Sequence, residues 1–233
     1  MGGIADRLAD VQQRIAEAAR RVGRDPQEAR LVAVSKTHPV ELVREAIAAG
    51  VGALGENYVQ ELVNKREAIG DAVEWHFIGH LQTNKARQLV PFCALVHGVD
   101  SLRLAEELDG RAARLGRCQP VLIEVNLSGE GTKFGVGEAD VIGLAQAISR
   151  LPNVELRGLM TMPPFPAEPE DSRPYFIAMR VLREKLREAG IAPKHCAELS
   201  MGMTADYEIA VEEGATLVRV GTAIFGSRDA PNA

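Results

Sequence analysis

A lysine stands at the end of a short apolar segment early in the chain. Lys36 closes the run LVAVSK, which begins at residue 31 and is followed by a proline at position 39. Such a run, rich in β-branched residues, is typical of a buried strand. Burial disfavours the charged form of an amine, and a neutral lysine is a nucleophile that can form a Schiff base with a carbonyl compound. The alternative is a lysine whose stem lies along the core and whose ammonium reaches water.

An arginine interrupts another apolar run near the end of the chain. Arg219 lies in the segment LVRV, at residues 217–220, whose other side chains predict a buried strand. A buried guanidinium is costly unless it has partners. One interpretation is a structural ion pair with a carboxylate such as Glu124 or Glu198. The other is a hydrogen bond from Arg219 to an acceptor on a ligand.

Small residues and hydroxyl groups mark the ends of the last two predicted strands. Ser200 and Gly202 stand at one end, and Gly221 and Thr222 stand at the other, before a predicted short helical turn at residues 223–225. Backbone N–H groups and hydroxyls in such turns bind dianions. The two turns therefore predict a phosphate site, with ordinary turn residues as the alternative.

The elements that position these residues follow a regular alternation. An amphipathic first helix ends at Gly23, and apolar runs then alternate with helical segments. The predicted strands cover residues 31–36, 52–55, 75–79, 94–99, 121–126, 156–160, 195–200 and 216–221, and the later helices cover residues 40–49, 59–69, 83–89, 101–115, 138–151, 172–189 and 205–213. Strict alternation implies parallel strands with helical crossovers. Eight repeats in 233 residues predict an α/β fold, a single (β/α)8 TIM-type barrel with an extra N-terminal helix.

The barrel accounts for the whole sequence. We expect one domain over residues 1–233, with the N-terminal helix at residues 1–23 and the barrel at residues 31–226. The proline-rich stretch at residues 163–169 follows the sixth strand, so it is predicted to be a long loop on the functional face. Active sites of this fold lie at the carboxyl ends of the strands, and phosphate sites follow the last two strands. Lys36, Ser200, Arg219 and Gly221 are therefore expected at one mouth.

Composition excludes several classes of partner. The net charge of −5 argues against a nucleic-acid partner, whose backbone requires a basic surface. The charged N-terminal segment does not resemble a signal peptide, and no apolar stretch is long enough to span a bilayer. Three cysteines without a CxxC pattern indicate a reducing compartment, so we expect a cytoplasmic protein. A monomer is expected because no long exposed apolar stripe is left over.

Other motifs carry less weight. His76 and His80 are four residues apart, but a strand and its loop do not bring such residues together as a helix does, so no metal site is expected. The segment Gly129-Glu130-Gly131 lacks the dinucleotide-binding pattern. Lys133 is interpreted as a solvated loop lysine.

The candidate groups match one cofactor. Pyridoxal phosphate carries an aldehyde, a phosphate and a ring nitrogen. A Schiff-base lysine, a phosphate cradle and a buried arginine would meet these three needs from different strands.

The motifs also resemble a known family. The segments VAVSKTHP, GENYVQE, WHFIGHLQTNK, VNLSGEGTKFG, GLMTM and LSMGMTADYEIAVEEGATLVRVGTAIFG, in this order, are similar to those of the pyridoxal phosphate homeostasis protein family. That family has a barrel similar to the N-terminal domain of alanine racemase. The resemblance implies pyridoxal 5'-phosphate on Lys36, Asn57 beside the ring, and Arg219 at the pyridine nitrogen. It implies phosphate contacts from Ser200, Gly221 and Thr222. Met160 is interpreted as a packing residue near the ring.

The presence of Arg219 at the pyridine nitrogen would affect the reactivity of the bound cofactor. An arginine can only donate, so the ring nitrogen would stay unprotonated and would stabilise a carbanion poorly. Alanine racemase, whose N-terminal barrel this family resembles, adds a tyrosine base from a second domain. Nothing in this sequence indicates that Tyr58 or Tyr207 points at a substrate. We therefore expect no catalytic residues and a protein that buffers the cofactor and supplies apo forms of pyridoxal phosphate-dependent enzymes. The alternatives are an amino-acid racemase and a cofactor-free Schiff-base aldolase acting on a phosphosugar.

Overall fold

The chain folds into a closed barrel of eight parallel strands. The fold is described here from a computed structural model that covers residues 2–128 and 134–226. The barrel strands are β1 (Arg30–Val34), β2 (Ala53–Glu56), β3 (Glu74–Phe77), β4 (Leu95–Val99), β5 (Gln119–Asn126), β6 (Val154–Met160), β7 (Glu198–Ser200) and β8 (Leu217–Val220). β1 pairs with both β2 and β8, and pairing between β4 and β5 closes the ring. The predicted TIM-type barrel is confirmed.

Helices connect the strands. They are α1 (Ile4–Arg21), α2 (Val40–Ala48), α3 (Val59–Ile69), α4 (Ala86–Leu89), α5 (Leu102–Arg114), α6 (Val141–Ile148), α7 (Arg173–Glu188), α8 (Tyr207–Glu212) and α9 (Thr222–Phe225). α1 is the extra N-terminal helix and packs against α8 and α9. A two-residue strand, Val136–Gly137, pairs with the end of β5 and was not predicted, because two residues are too few to show a periodicity.

Several strands, β1 and β7 among them, are shorter than the sequence predicts. β1 ends at Val34, so Lys36 lies two residues beyond the strand, although Ser35 N still donates to the Gly55 carbonyl at 3.2 Å. β7 begins only at Glu198, because Pro193–His195 forms a 3-10 turn in place of the predicted strand start.

Local contacts mark several helix ends. Ser101 is an N-cap whose Oγ accepts from Leu104 N at 3.4 Å. Ser172 is not a side-chain cap, because its hydroxyl donates to Asp206 Oδ2 at 2.6 Å. Four helices are followed by a glycine with positive φ: Gly50, Gly116, Gly190 and Gly214.

The barrel interior changes from apolar to polar toward the carboxyl ends of the strands. An apolar cluster, separate from the core beneath the helices, fills the interior: Val32, Leu95, Leu122, Met160 and Leu217. Side chains two positions along a strand share its face. Leu95, Leu122 and Leu217 are therefore followed on the same face by His97, Glu124 and Arg219, all three buried. A polar layer thus lies beneath the mouth of the barrel.

Candidate cofactor-binding site

A cavity of about 230 Å³ opens at the carboxyl ends of the strands. It is lined by five residues predicted from the sequence: Lys36, Asn57, Arg219, Gly221 and Thr222. Its other lining residues are Val34, His38, Ile78, Met162, Phe165, Pro166, Met203, Thr204, Ala205 and Asp206. The structure therefore brings the candidate lysine, the candidate arginine and the turn at Gly221 and Thr222 to one cavity.

The backbone next to Lys36 has an uncommon conformation. Lys36 is half-buried, and Thr37 after it has φ +66°, a left-handed conformation that costs free energy for a β-branched residue. The Thr37 N–H donates to Glu61 Oε1 at 2.5 Å, which ties this turn to α3. The turn therefore depends on a tertiary contact, and it carries the chain from the strand end into the cavity wall.

A second lysine supports this turn from behind. Lys65 on α3 is 4% exposed, and its Nζ donates to the Ser35 carbonyl at 2.6 Å, to Glu56 Oε1 at 2.7 Å and to Glu61 Oε1 at 2.8 Å. These bonds use all three N–H groups of an ammonium. Lys65 is thus the more buried lysine, but it anchors the end of β1 and has no lone pair to offer an aldehyde.

Arg219 reaches the cavity from the barrel interior. It is 3% exposed, and it donates from Nη1 to Ser200 Oγ at 2.6 Å and from Nη2 to the Thr161 carbonyl at 2.8 Å. Burial lowers the pKa of Arg219 to about 10, which keeps it charged at neutral pH.

The structural ion pair considered for Arg219 is wrong. In the described part of the chain no carboxylate forms a salt bridge with Arg219, and Glu198 instead pairs with Arg30 on the barrel exterior. Two neutral oxygen acceptors hold the guanidinium, which leaves its charge uncompensated by a contact ion pair.

Two predicted site residues do not reach the cavity. Ser200 is fully buried, and its hydroxyl lies between Arg219 and His97 Nδ1, at 2.9 Å from the latter. Met160 is fully buried in the apolar cluster of the barrel interior. Both residues end strands and point inward beneath the mouth, so the cofactor contacts expected of Ser200 and Met160 are not supported by their positions. Met162 and Met203 line the cavity instead.

Thr204 supplies a hydroxyl that the sequence analysis missed. It lines the cavity, and its Oγ1 accepts from Gly221 N at 3.4 Å. Gly202 has φ +90°, and a Cβ there would lie 2.5 Å from Ala210 Cβ, so the turn that places Thr204 requires glycine. At Gly221 a Cβ would lie 3.1 Å from the Val34 carbonyl oxygen. Thr204, Gly221 and Thr222 therefore form a compact polar corner of the cavity.

Asn57 presents an acceptor without a partner. Its Oδ1 is buried and has no hydrogen bond among the described residues. Buried polar groups are normally hydrogen-bonded, so an unpartnered acceptor on a cavity wall indicates a position where a ligand could donate. Because Asn57 lines the cavity together with Lys36, a ligand donor at this wall would satisfy it.

The proline-rich loop lies at the cavity, as predicted. Met162, Phe165 and Pro166 line one side, and Phe165 is 86% exposed. On another side His38 stacks on Phe225, with ring centroids 5.0 Å apart. His38 was not among the predicted site residues, although its place two residues after Lys36 was a usable signal.

A second cavity of about 330 Å³ adjoins the first and shares Met162, Phe165 and Met203 with it. It is lined by Glu124, whose Oε2 has no hydrogen-bond partner in the described structure. Burial and the charge of Asp100, opposed by the charge of Arg219, together raise the pKa of Glu124 to about 7. Residues 129–133, which include the sequence motif at Gly129 and the candidate loop lysine Lys133, lie outside the described residues.

Neither a tyrosine base nor a metal site accompanies the cavity in the described structure. Tyr58, Tyr175 and Tyr207 do not line it, and Tyr207 packs under Arg14, whose Cζ is 5.7 Å from the ring centroid. Within residues 2–128 and 134–226, no three His, Cys, Asp or Glu side chains are grouped to hold a metal. In the same ranges, no helix has the length and apolar character needed to cross a membrane.

The chain is similar to one group of known proteins over nearly its whole length. The family model "Alanine racemase, N-terminal domain" matches residues 7–229. A pyridoxal phosphate homeostasis protein of Aquifex aeolicus is 48% identical over 225 residues, which cover 96% of this chain and 97% of that protein. The protein of the same name from Escherichia coli K12 is 44% identical and covers 98% of each chain.

Solved structures agree with these relationships. PipY of Synechococcus elongatus with bound PLP has a TM-score of 0.84 and 38% identity, and the match covers 96% of this chain and 100% of that one. Alanine racemase from Corynebacterium glutamicum has a TM-score of 0.69 at 19% identity, covering 98% of this chain and 62% of the racemase. The latter likeness concerns the fold alone.

Proposed function

Since the chain belongs to the pyridoxal phosphate homeostasis protein family, we propose that it binds pyridoxal 5'-phosphate reversibly at the barrel mouth and buffers the cytoplasmic supply of this cofactor. The observation that carries the proposal is the convergence of Lys36, Arg219 and the corner formed by Thr204, Gly221 and Thr222 on one cavity. The bound PLP of the PipY structure supports the same assignment.

The residues of the cavity fit the chemistry of the cofactor. Lys36 offers the amine for a Schiff base with the aldehyde. Arg219 offers a donor to the pyridine nitrogen, and two of its five N–H groups are already held by protein acceptors. Thr204, Gly221 and Thr222 offer hydroxyl and backbone donors to the phosphate. Asn57, whose Oδ1 lacks a partner, lies beside the ring in this proposal.

We further propose that the protein is a carrier without strong catalytic activity. When bound, the cofactor supplies an aldehyde that condenses with amines and a ring that withdraws electrons, most strongly when its nitrogen is protonated. Arg219 is charged at neutral pH and can only donate, so it leaves that nitrogen unprotonated. No tyrosine of the described structure lines the cavity to move a proton at a substrate carbon.

Two measurements on the purified protein test this function together. Titration with pyridoxal phosphate should produce a visible absorption band that sodium borohydride bleaches, and a colourless protein would favour the cofactor-free aldolase. The loaded protein should then reactivate an apo-aminotransferase without racemising a panel of amino acids. Efficient racemisation of any amino acid would contradict the carrier proposal and favour the racemase.

We also propose that apo-enzymes are partners of this protein and that it is a monomer. Exposed apolar side chains stand near the carboxyl ends of the strands, where an apo-enzyme would approach: Tyr58, Phe134, Met162 and Phe165. We propose that the carrier itself is a monomer, and light scattering at micromolar concentration should give a single species of one chain. A stable dimer would contradict this part alone.

A further inference from the structure

A chain of polar groups crosses the barrel interior from the cavity to the opposite end. Arg219 Nη1 donates to Ser200 Oγ at 2.6 Å, and the Ser200 hydroxyl lies 2.9 Å from His97 Nδ1. His97 Nε2 lies 3.0 Å from His76 Nδ1, and His76 Nε2 lies 3.5 Å from Glu74 Oε2. Glu74 is the first residue of β3 and its side chain is 63% exposed, whereas the other four residues are at most 3% exposed. These five residues are called the histidine chain below.

Which group donates in each hydrogen bond of the histidine chain follows from Arg219, the cation at one end of the chain. Arg219 can only donate, so Ser200 Oγ accepts. The Ser200 hydroxyl proton must then find its own acceptor, and His97 Nδ1 is the one within reach. If His97 Nδ1 instead carried a proton, the Ser200 proton would be buried without an acceptor, which is energetically costly.

The remaining bonds are set by the same reasoning. A neutral His97 that accepts at Nδ1 carries its proton on Nε2 and donates it to His76 Nδ1. His76 then carries its proton on Nε2, which faces the carboxylate of Glu74. His97 stays neutral because burial lowers its pKa well below the ordinary value, and the nearby charges of Arg219 and Arg30 act in the same direction. All donors therefore point from the cavity toward the surface carboxylate.

We infer that His97, acting through Ser200, is a positioning residue for Arg219, and that His76 and His97 are both held as Nε2–H tautomers. A donor-to-acceptor chain of this kind makes Ser200 Oγ a better acceptor, because its own proton is drawn toward His97. Together with the Thr161 carbonyl it holds the guanidinium at two points. The part of this inference that concerns affinity depends on the proposed function, whereas the part that concerns tautomers does not.

The first test measures the tautomers in the protein without cofactor. Long-range proton–nitrogen NMR at pH 7.5 separates Nδ1–H from Nε2–H histidines by their nitrogen shifts, and single histidine variants assign the signals. His195 is the internal control, because its Nδ1 lies 3.0 Å from the Leu156 carbonyl oxygen and must donate to it. We expect Nε2–H at His76 and His97 and a protonated Nδ1 at His195. A protonated Nδ1 at His97 would overturn the inference.

The second test measures cofactor binding in two matched variants. His97→Leu removes the acceptor for Ser200, whereas His97→Asn keeps an amide oxygen near the position of Nδ1. We expect His97→Leu to weaken the binding of both pyridoxal phosphate and phosphate-free pyridoxal about tenfold, because the affected contact is to the ring. His97→Asn should stay within about twofold of the wild type. Equal loss in both folded variants, or no loss in His97→Leu, would overturn the positioning role.

The two tests separate the inference from the proposed function. If the wild type binds no pyridoxal phosphate, the proposed function fails, and the tautomer measurement still decides the direction of the chain. If His97→Leu does not fold, Ser200→Ala breaks the chain one bond closer to Arg219. It should show the same loss for both ligands, and an unchanged affinity there would overturn the inference.

Discussion

Two hydroxyl residues in one short segment, Ser200 and Thr204, have different surroundings. Ser200 ends β7 and points into the barrel, where Arg219 and His97 occupy its oxygen. Thr204 follows the turn at Gly202 and reaches the cavity. The sequence shows that two hydroxyl residues lie near the end of a strand, but it does not show at which residue the strand ends. The position of that end decides which of the two hydroxyls faces the cavity. The position of the site could therefore be predicted, but the identity of this hydroxyl could not.

The different positions lead to different expectations for ligand binding. Thr204→Val and Thr222→Val should each weaken pyridoxal phosphate binding about tenfold, because a hydrogen bond to a charged group is worth about 1.5–3 kcal/mol. Binding of phosphate-free pyridoxal should stay unchanged. Thr83→Val is a matched control, since Thr83 follows β3 on the same face of the barrel but does not line the cavity. Equal losses for both ligands, measured by absorbance titration, would place the phosphate elsewhere.

At the scale of single elements, the end of β1 is held by α3. Lys65 bonds to Ser35 and Glu56 across this contact, and burial raises the pKa of Glu56 even though Lys65 lies beside it. Lys65→Met would leave a buried carboxylate without its partner, so the free energy of unfolding should fall by about 3–5 kcal/mol. The measurement is urea denaturation.

Two further variants sharpen this prediction. Lys194→Met changes an exposed lysine and should alter stability by less than about 0.5 kcal/mol. Adding Glu56→Gln to Lys65→Met should recover part of the loss, because the buried charge is then removed. If Lys65→Met is as stable as Lys194→Met, the anchor at the end of β1 has been misinterpreted.

The elements themselves were largely predictable, and their mutual contacts were not. The span of α3 follows from its periodicity, and the i, i+4 spacing of Glu61 and Lys65 is visible in the sequence. That Lys65 also reaches Ser35, thirty residues earlier, depends on how α3 packs against the barrel. Sequence patterns indicate which residues are buried and whether a segment is a helix or a strand. A contact between two elements, by contrast, depends on how these elements lie relative to each other.

At the scale of the whole molecule, the polar interior of the barrel should make stability depend on pH. Burial raises the pKa of Glu124 from 4.5 to about 7 in the folded protein. Because the folded protein binds this proton more tightly than the unfolded chain, protonated Glu124 contributes stability that is fully present below pH 4.5. This contribution is lost as pH rises through about 7. Glu124→Gln should therefore stabilise the protein relative to the wild type by about 3 kcal/mol at pH 8 and by much less at pH 5. An equal difference at the two pH values in urea denaturation would contradict this account of the interior.

The central claim is that the barrel holds pyridoxal phosphate as a Schiff base on Lys36, and borohydride reduction followed by peptide mass spectrometry tests it most directly. The wild type, loaded and reduced, should carry one phosphopyridoxyl group, on the peptide that contains Lys36. Lys36→Ala, treated in parallel, should lose the visible band and the adduct while remaining folded. A reduced adduct found mainly on Lys65, Lys85 or Lys133 of the wild type would contradict the claim.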